Sequence, residues 1–288
     1  MKLITCQGGR LLTLGEMAGG GEAPGASPSV TVAADVPTFS TGLPALDALA
    51  PGGALRRGAV HEILSEPADG SPLFIAALLS RRALGVGGGA WGVGSEEEAA
   101  TAAAPLLPTP HSPPPTSSPP PTSPSALIWS DPEHRLYPPA LAMQGIDLDR
   151  LFILRPKTPA EQTWAVAECL KCRGVAAVVA EMKPGQRLSR LEARRLQLSA
   201  ERGGGVGLLL RPWGGRLSAE HAAATRWLVR PAPGERTVQR WTVQLVHGHG
   251  GRVGGVVILE HSRETNRVRA VEKLAGGRGR TPVGAGVG

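Results

Sequence analysis

The sequence predicts an α/β fold: a mostly parallel sheet with antiparallel strands added at its C-terminal edge. From residue 126 to 211, apolar runs of strand length alternate with segments of helical period. That alternation is the pattern of strand–helix–strand units with right-handed crossovers. VAAVVAEM (175–182) and VGLLLR (206–211) are apolar throughout, as strands buried on both faces are. Beyond them TRWLVRP, TVQRWTVQLVHG and GGVVILEHSR follow one another with short connections. Such spacing suits antiparallel neighbours.

The elements follow in order. Residues 1–37 are rich in Gly, Ala and Pro and read as a flexible N-terminal segment. From Phe39, STGLPALDALAPGG has helical spacing, with Asp47 inside it, and then a Pro-Gly-Gly break. AVHEIL (59–64) is a strand by its length and flanking turn residues, and a helix runs to Leu84 after the loop SEPADGSP. Residues 85–125 turn rich in Gly, Pro, Ser and Thr. They bury too little apolar surface to offset the entropy of ordering, and read as a disordered insertion. ALIWS (126–130) and LFILR (151–155) are strands, with a short helix at PPALAMQG (138–145) between them. PAEQTWAVAECLKCRG (159–174) has Pro near its start, Glu161 in its first turn, and Lys, Arg and Gly at its end, which are helix start and stop signals. Residues 188–204 form a helix stopped by glycines. The core domain is expected over 38–262. Residues 263–288 are basic and then Gly-rich, and read as a tail.

Composition bounds the function. Hydrophobic residues are 41% of the 288, but aromatics only 3%, so the core must be aliphatic. The net charge of +7 permits an acidic partner such as nucleic acid, although an Arg-rich composition also follows from a GC-rich genome. Three cysteines, no apolar run of membrane-spanning length and no leader pattern point to a cytoplasmic protein without membrane contact.

SEPADGSP lies between a strand and a helix, where a phosphate-binding loop GxxxxGK[ST] would lie. In such loops the Lys reaches the β/γ-phosphates and the Ser/Thr hydroxyl holds Mg²⁺. Here Ser65 takes the first Gly position and Gly70 keeps the second. Ser71 stands in place of Lys, and Pro72 in place of Ser/Thr. The surrounding text, TGLPALDALAPGGALRRGAVHEILSEPADGS, resembles the segment leading into the phosphate loop of RecA-like recombinases. ALIWSDPEHRLYPPALAMQGIDLDRLFILRP resembles their Asp-x-Glu-His segment and the helix, turn and strand after it. The resemblance spans roughly residues 39–261 and implies a RecA-like three-layer core. Within that superfamily, RRLQLSAERGGGVGLLLRP (194–212) and WLVRPAPG (227–234) are similar to ImuA, a family of RecA-like accessory proteins of translesion mutagenesis.

That resemblance implies a non-catalytic adaptor in damage-induced, SOS-type translesion synthesis and DNA repair. Its partners would be a Y-family polymerase homologue and a DnaE-type error-prone polymerase, with single-stranded DNA and RecA as further candidates, and it would associate with the nucleoid when active. No cofactor is expected: without the loop Lys, ATP binding and hydrolysis are expected to be weak or absent. The alternatives are an atypical DNA-dependent ATPase and a SulA-like cell-division inhibitor. The resemblance places Glu133 at the water-orienting glutamate and Glu181 beside the Walker B aspartate position, both as vestigial candidates. Ser65, Gly70 and Ser71 form the vestigial phosphate loop. Arg187, Arg190 and Arg194 on the 188–204 helix, and Arg211, Trp213 and Arg216 after the next strand, are candidate DNA contacts, by phosphate pairing and stacking. Cys169 and Cys172 form a lone CxxC, read as reduced packing residues because the second pair of a zinc site is missing. His247 and His249 fall in a Gly-rich turn without a third ligand.

Overall fold

Each central parallel strand of the sheet alternates its side chains between two apolar layers, and this alternation sets the architecture. In the computed structural model, residues 4–7, 10–13, 37–66, 71–85, 126–215 and 222–271 are described. The strands are β1 (Ile4–Gln7), β2 (Arg10–Thr13), β3 (Thr38–Phe39), β4 (Leu55–Arg56), β5 (Ala59–Ser65), β6 (Ala126–Ser130), β7 (Leu151–Leu154), β8 (Val175–Glu181), β9 (Val206–Pro212), β10 (Thr225–Ala232), β11 (Val238–Gly248), β12 (Val256–Ser262) and β13 (Arg267–Val271). The helices are α1 (Pro44–Asp47), α2 (Ser71–Ala83), α3 (Pro138–Met143), α4 (Pro159–Leu170) and α5 (Arg190–Gly203).

Nine strands form one sheet in the order β13-β12-β11-β10-β5-β9-β8-β6-β7. Pairing is parallel from β10 through β5, β9, β8 and β6 to β7, and antiparallel from β10 to β13. β1 pairs with β2, and β3 with β4, as small antiparallel pairs. The expected parallel sheet with antiparallel C-terminal strands is the sheet observed.

One face of the sheet contributes Ile63, Leu127, Trp129, Val179 and Leu208 to a core closed by Leu46 of α1, Ile75, Leu78 and Leu79 of α2, and Leu141 of α3. The other contributes Val60, Ile128, Val178 and Leu209 to a core closed by Val166 and Leu170 of α4 and by Leu196 and Ala200 of α5. In the antiparallel half only the α2 side is filled. Trp241, Val243, Leu245 and Leu259 point into it, and Phe74 of α2 stacks on Trp241 at 4.4 Å between ring centroids. The opposite face there carries Glu260 between Arg240 (2.7 Å) and Arg269 (2.8 Å), its direct cross-strand neighbours.

Local signals explain the helix ends. Ser189 caps α5 and Glu192 closes the reciprocal capping box, while Gly204 ends it in the left-handed region at φ +79°. Thr158 caps α4, with Pro159 in its first turn. The helical spacing after Phe39 yields only the one turn of α1, because Pro44 starts it and Pro51 follows close behind. Its Asp47 accepts from Ser40 Oγ (2.5 Å) and from the Thr41 amide (2.8 Å), folding the Ser-Thr-Gly turn back on itself.

Two boundaries need correction. Residues 263–288 do not begin a tail at 263: Arg267–Val271 pairs with β12, and Asn266, at φ +53°, turns the chain into it. Val268 is buried while Arg267 and Arg269 face out, so the basic character marks a half-buried edge strand. Within 1–37, the strands β1 and β2 form a hairpin. The 85–125 insertion lies outside the described residues except for Gly85. Among the described residues no helix is long and apolar enough to cross a membrane.

At the N-terminal end of β5, His61 is fully buried beside a cavity of about 130 Å³, lined also by Pro51, Ala54, Arg56, Ala224, Thr225 and His249. The indole Nε1–H of Trp227 donates to Thr225 Oγ1 (2.7 Å). The Arg56 carbonyl can only accept, so His61 Nε2–H donates to it (2.9 Å), and in the neutral imidazole Nδ1 accepts from the Thr225 hydroxyl (2.7 Å). This chain uses neutral imidazole, and burial lowers the His61 pKa to about 4.

Two outcomes are expected. A Cβ at Gly203 would lie 1.9 Å from the Leu170 carbonyl oxygen, so Gly203→Ala must push α5 off α4. It should cost on the order of 2 kcal/mol in denaturant unfolding. Between pH 6.5 and 4 the unfolded chain protonates His61 and the native chain does not. Stability is therefore full above pH 6.5 and falls by about 1.4 kcal/mol per unit across that window. His61→Gln should flatten this limb in pH-dependent unfolding.

Candidate functional site

The carboxyl ends of parallel strands are where α/β sheets place ligands. Here β5, β6, β8 and β9 end together, and most of the candidate residues lie at or beyond these ends. Ser65, the last residue of β5, is buried, and its carbonyl accepts from the Trp213 amide just past β9 (2.5 Å). Gly70 and Arg216 lie outside the described residues. Ser71 is the first residue of α2.

The turn after β6 is built by Asp131, whose carboxylate accepts from the amides of Arg135 (2.8 Å) and Leu136 (3.2 Å). His134 takes a left-handed φ of +56° to close it. This folding sends Glu133 and Arg135 across to the end of β8. Glu133 pairs with Lys183 at 2.5 Å, and Arg135 with Glu181 at 2.5 Å. The Lys183 ammonium holds the Glu133 carboxyl below the usual range, and the Glu181 carboxylate raises the Arg135 pKa. Glu181 is 7% exposed, and its Oε1 is buried without a hydrogen-bond partner among the described residues. Gln162 of α4 stitches the two strand ends together, donating to Ser130 Oγ (3.1 Å) and to the Glu181 carbonyl (2.8 Å). The two carboxylates at the expected catalytic positions are therefore both neutralised by cations of the same chain.

The candidate basic residues divide. Arg187, Arg190 and Arg194 are all exposed. Arg187 precedes the Ser189 cap, so it lies in the loop and not on the helix. Arg211 is turned inward: its guanidinium meets Glu62 at 3.0 Å, and Arg226 meets the other oxygen at 2.7 Å. Glu62 and Arg226 are 2% and 3% exposed. This triad joins β9, β5 and β10. Sequence reading missed it, because the three residues lie up to 164 positions apart; a glutamate within an apolar strand was the available signal. Trp213, just past β9, is half-buried.

Cys169 is a free thiol, its pKa pushed up to about 11 by burial. Cys172 is fully buried and disulfide-bonded, which corrects the reading of both as reduced. His247, near the end of β11, and His249, in the turn after it, meet edge to face at 5.3 Å. Among the described residues no group of three or more His, Cys, Asp or Glu could hold a metal.

This arrangement, a central strand followed by a helix, flanking parallel strands and antiparallel strands at one edge, is a RecA-like fold. The crystal structure of the RadB recombinase matches it with a TM-score of 0.52 at 14% identity, over 81% of this chain and 99% of that one. In sequence the chain is similar to Protein ImuA of Caulobacter vibrioides (strain NA1000 / CB15N): 29% identical over 256 residues, 83% of this chain and 91% of that protein. Protein ImuA of strain ATCC 19089 / CIP 103742 / CB 15 matches with the same values. The ImuA resemblance carried by the sequence blocks is borne out. No family model matches the chain.

Replacing Glu62 with Gln would leave two guanidinium groups against a neutral amide. Glu62→Gln should cost about 3–5 kcal/mol in chemical unfolding, far more than loss of a surface pair.

Proposed function

We propose that this chain is a non-catalytic, RecA-like adaptor in damage-induced, error-prone translesion DNA synthesis. It brings a Y-family polymerase homologue together with a DnaE-type polymerase on damaged template. The carrying observation is the self-neutralised strand-end site. Glu133 and Glu181, where a RecA-like ATPase orients water and metal, are paired with Lys183 and Arg135. A loop SEPADGSP without lysine precedes α2.

Phosphoryl transfer is catalysed chiefly by positioning and charge compensation on the phosphates. A site that lacks the loop cation and has its carboxylates tied up supplies neither. What remains is a rigid scaffold with solvent-facing helices, which suits holding partners. Similarity to Protein ImuA over most of the chain supports the placement in mutagenesis, and the exposed Arg187, Arg190 and Arg194 leave room for single-stranded DNA at the same end.

The test is nucleotide binding by calorimetry, and turnover by phosphate release, with and without Mg²⁺ and single-stranded DNA. The expected result is no heat of binding at millimolar ATP and no DNA-stimulated turnover. Tight binding with DNA-stimulated hydrolysis would overturn the adaptor reading in favour of a DNA-dependent ATPase.

A further inference from the structure

The cavity beside His61 lies at the amino ends of β5 and β10, away from the strand ends where the candidate residues gather. Four stretches of chain enclose it: Pro51 to Arg56, His61, Ala224 with Thr225, and His249. The β11–β12 turn is fixed against the first stretch. The Arg252 amide donates to the Leu49 carbonyl (2.9 Å), and a Cβ on Gly248 would meet Pro51 Cγ at 3.4 Å. The walls are thus held by packed backbone.

The interior suits an apolar occupant. His61 and Thr225 are buried, and their polar atoms already answer one another. Both imidazole nitrogens are engaged, and the Thr225 hydroxyl both donates and accepts. A ring with polar edges, such as a nucleobase, would give up its hydrogen bonds to water and find no replacement there. Pro51, Ala54 and Ala224 add aliphatic surface. The volume of about 130 Å³ is close to that of engineered apolar cavities of about 150 Å³ that take up benzene. A body the size of a single six-membered ring fits it.

The opening is cationic. Arg56 and His249 line the cavity and are also exposed, so they stand at its mouth. Arg56 makes no ion pair among the described residues. The described carboxylates on the surrounding elements are engaged elsewhere. Asp47 of α1 accepts from Ser40 and Thr41, Glu62 of β5 is held by Arg211 and Arg226, and Glu260 of β12 by Arg240 and Arg269. Glu201 of α5, which adjoins Gly58, accepts from the Gln197 amide (3.0 Å). β4, β10, β11 and the β11–β12 turn contain no acidic residue.

We propose that this cavity binds a small organic monoanion. Its compact apolar body lies against Pro51, Ala54, Ala224 and the His61 ring, and its carboxylate sits at the mouth with Arg56 and His249. An apolar pocket with one charged group placed to orient the ligand is the common form of a small-molecule site. Occupancy ties β5 and β10 to the β11–β12 turn, and stabilises the native chain by mass action. The inference goes beyond the adaptor reading and does not rest on it, because SEPADGSP follows the opposite end of β5.

The test is saturation-transfer NMR and calorimetry on the full chain with benzoate as the probe, and with benzyl alcohol and benzylamine as its neutral and cationic counterparts. The expected result is saturable binding of benzoate, about tenfold weaker binding of benzyl alcohol, and none of benzylamine. Arg56→Ala should weaken benzoate by about tenfold and bring it level with benzyl alcohol. Ala54→Leu and Ala224→Leu each fill the space from a half-buried position and should abolish binding of both. Thermal melts without ligand identify which filled variant keeps the parent fold, and binding is read in that one. No binding of benzoate at millimolar concentration, equal binding of benzylamine, unchanged binding in Arg56→Ala, or full binding in a folded, filled variant would overturn the proposal.

Discussion

The structure turns on one buried charge. Glu62 lies inside the central strand β5 with Arg211 of β9 on one oxygen and Arg226 of β10 on the other. β5 is where the parallel half of the sheet meets the strands that lead into the antiparallel half. A carboxylate in that position is tolerable only with its lone pairs answered, since desolvation of an unpaired ion costs several kcal/mol. Both answers come from neighbouring strands, so the triad constrains how β9, β5 and β10 lie together. Backbone hydrogen bonds pair the strands; the charges make that arrangement costly to disturb.

The same economy of charge recurs where the strands end. Here two cross-turn ion pairs, Glu133 with Lys183 and Arg135 with Glu181, link the β6 turn to the β8 exit, with Gln162 bridging beneath. Both pairs are partly solvated, so each adds little stability. Their consequence is electrostatic: the strand-end carboxylates are not presented as a free negative pair.

The helical layers differ in what they leave outside. α2 is covered on the antiparallel side by Trp241 and its neighbours, and α3 is held by its own loop and by Asn266 of the β12–β13 turn, which donates to the Met143 carbonyl at 2.8 Å. α4 and α5 close their core with small and medium side chains and keep Trp164, Leu191 and Leu198 outward. Apolar exposure is divided: Tyr137, Met143 and Leu148 are exposed around α3 as well.

Much of the fold was legible in the sequence because its signals are local. The unbroken apolar run VAAVVAE marks a strand buried on both faces, Thr158-Pro159 and Ser189…Glu192 mark helix starts, and Gly204 marks a stop. These residues act through their own backbone or through neighbours within one turn, so spacing alone suffices. The site was legible only as a set of positions. That Glu133 meets Lys183 and not Arg135, and that Arg211 turns inward to Glu62, depend on partners far along the chain, 149 positions away for Arg211; that RVRAV joins the sheet instead of trailing from it depends on pairing with β12 across a turn. Sequence determined which segments become strands and helices. Tertiary structure decided which charges cancel, because an ion pair is set by distance in space, and a list of residues carries no such distances.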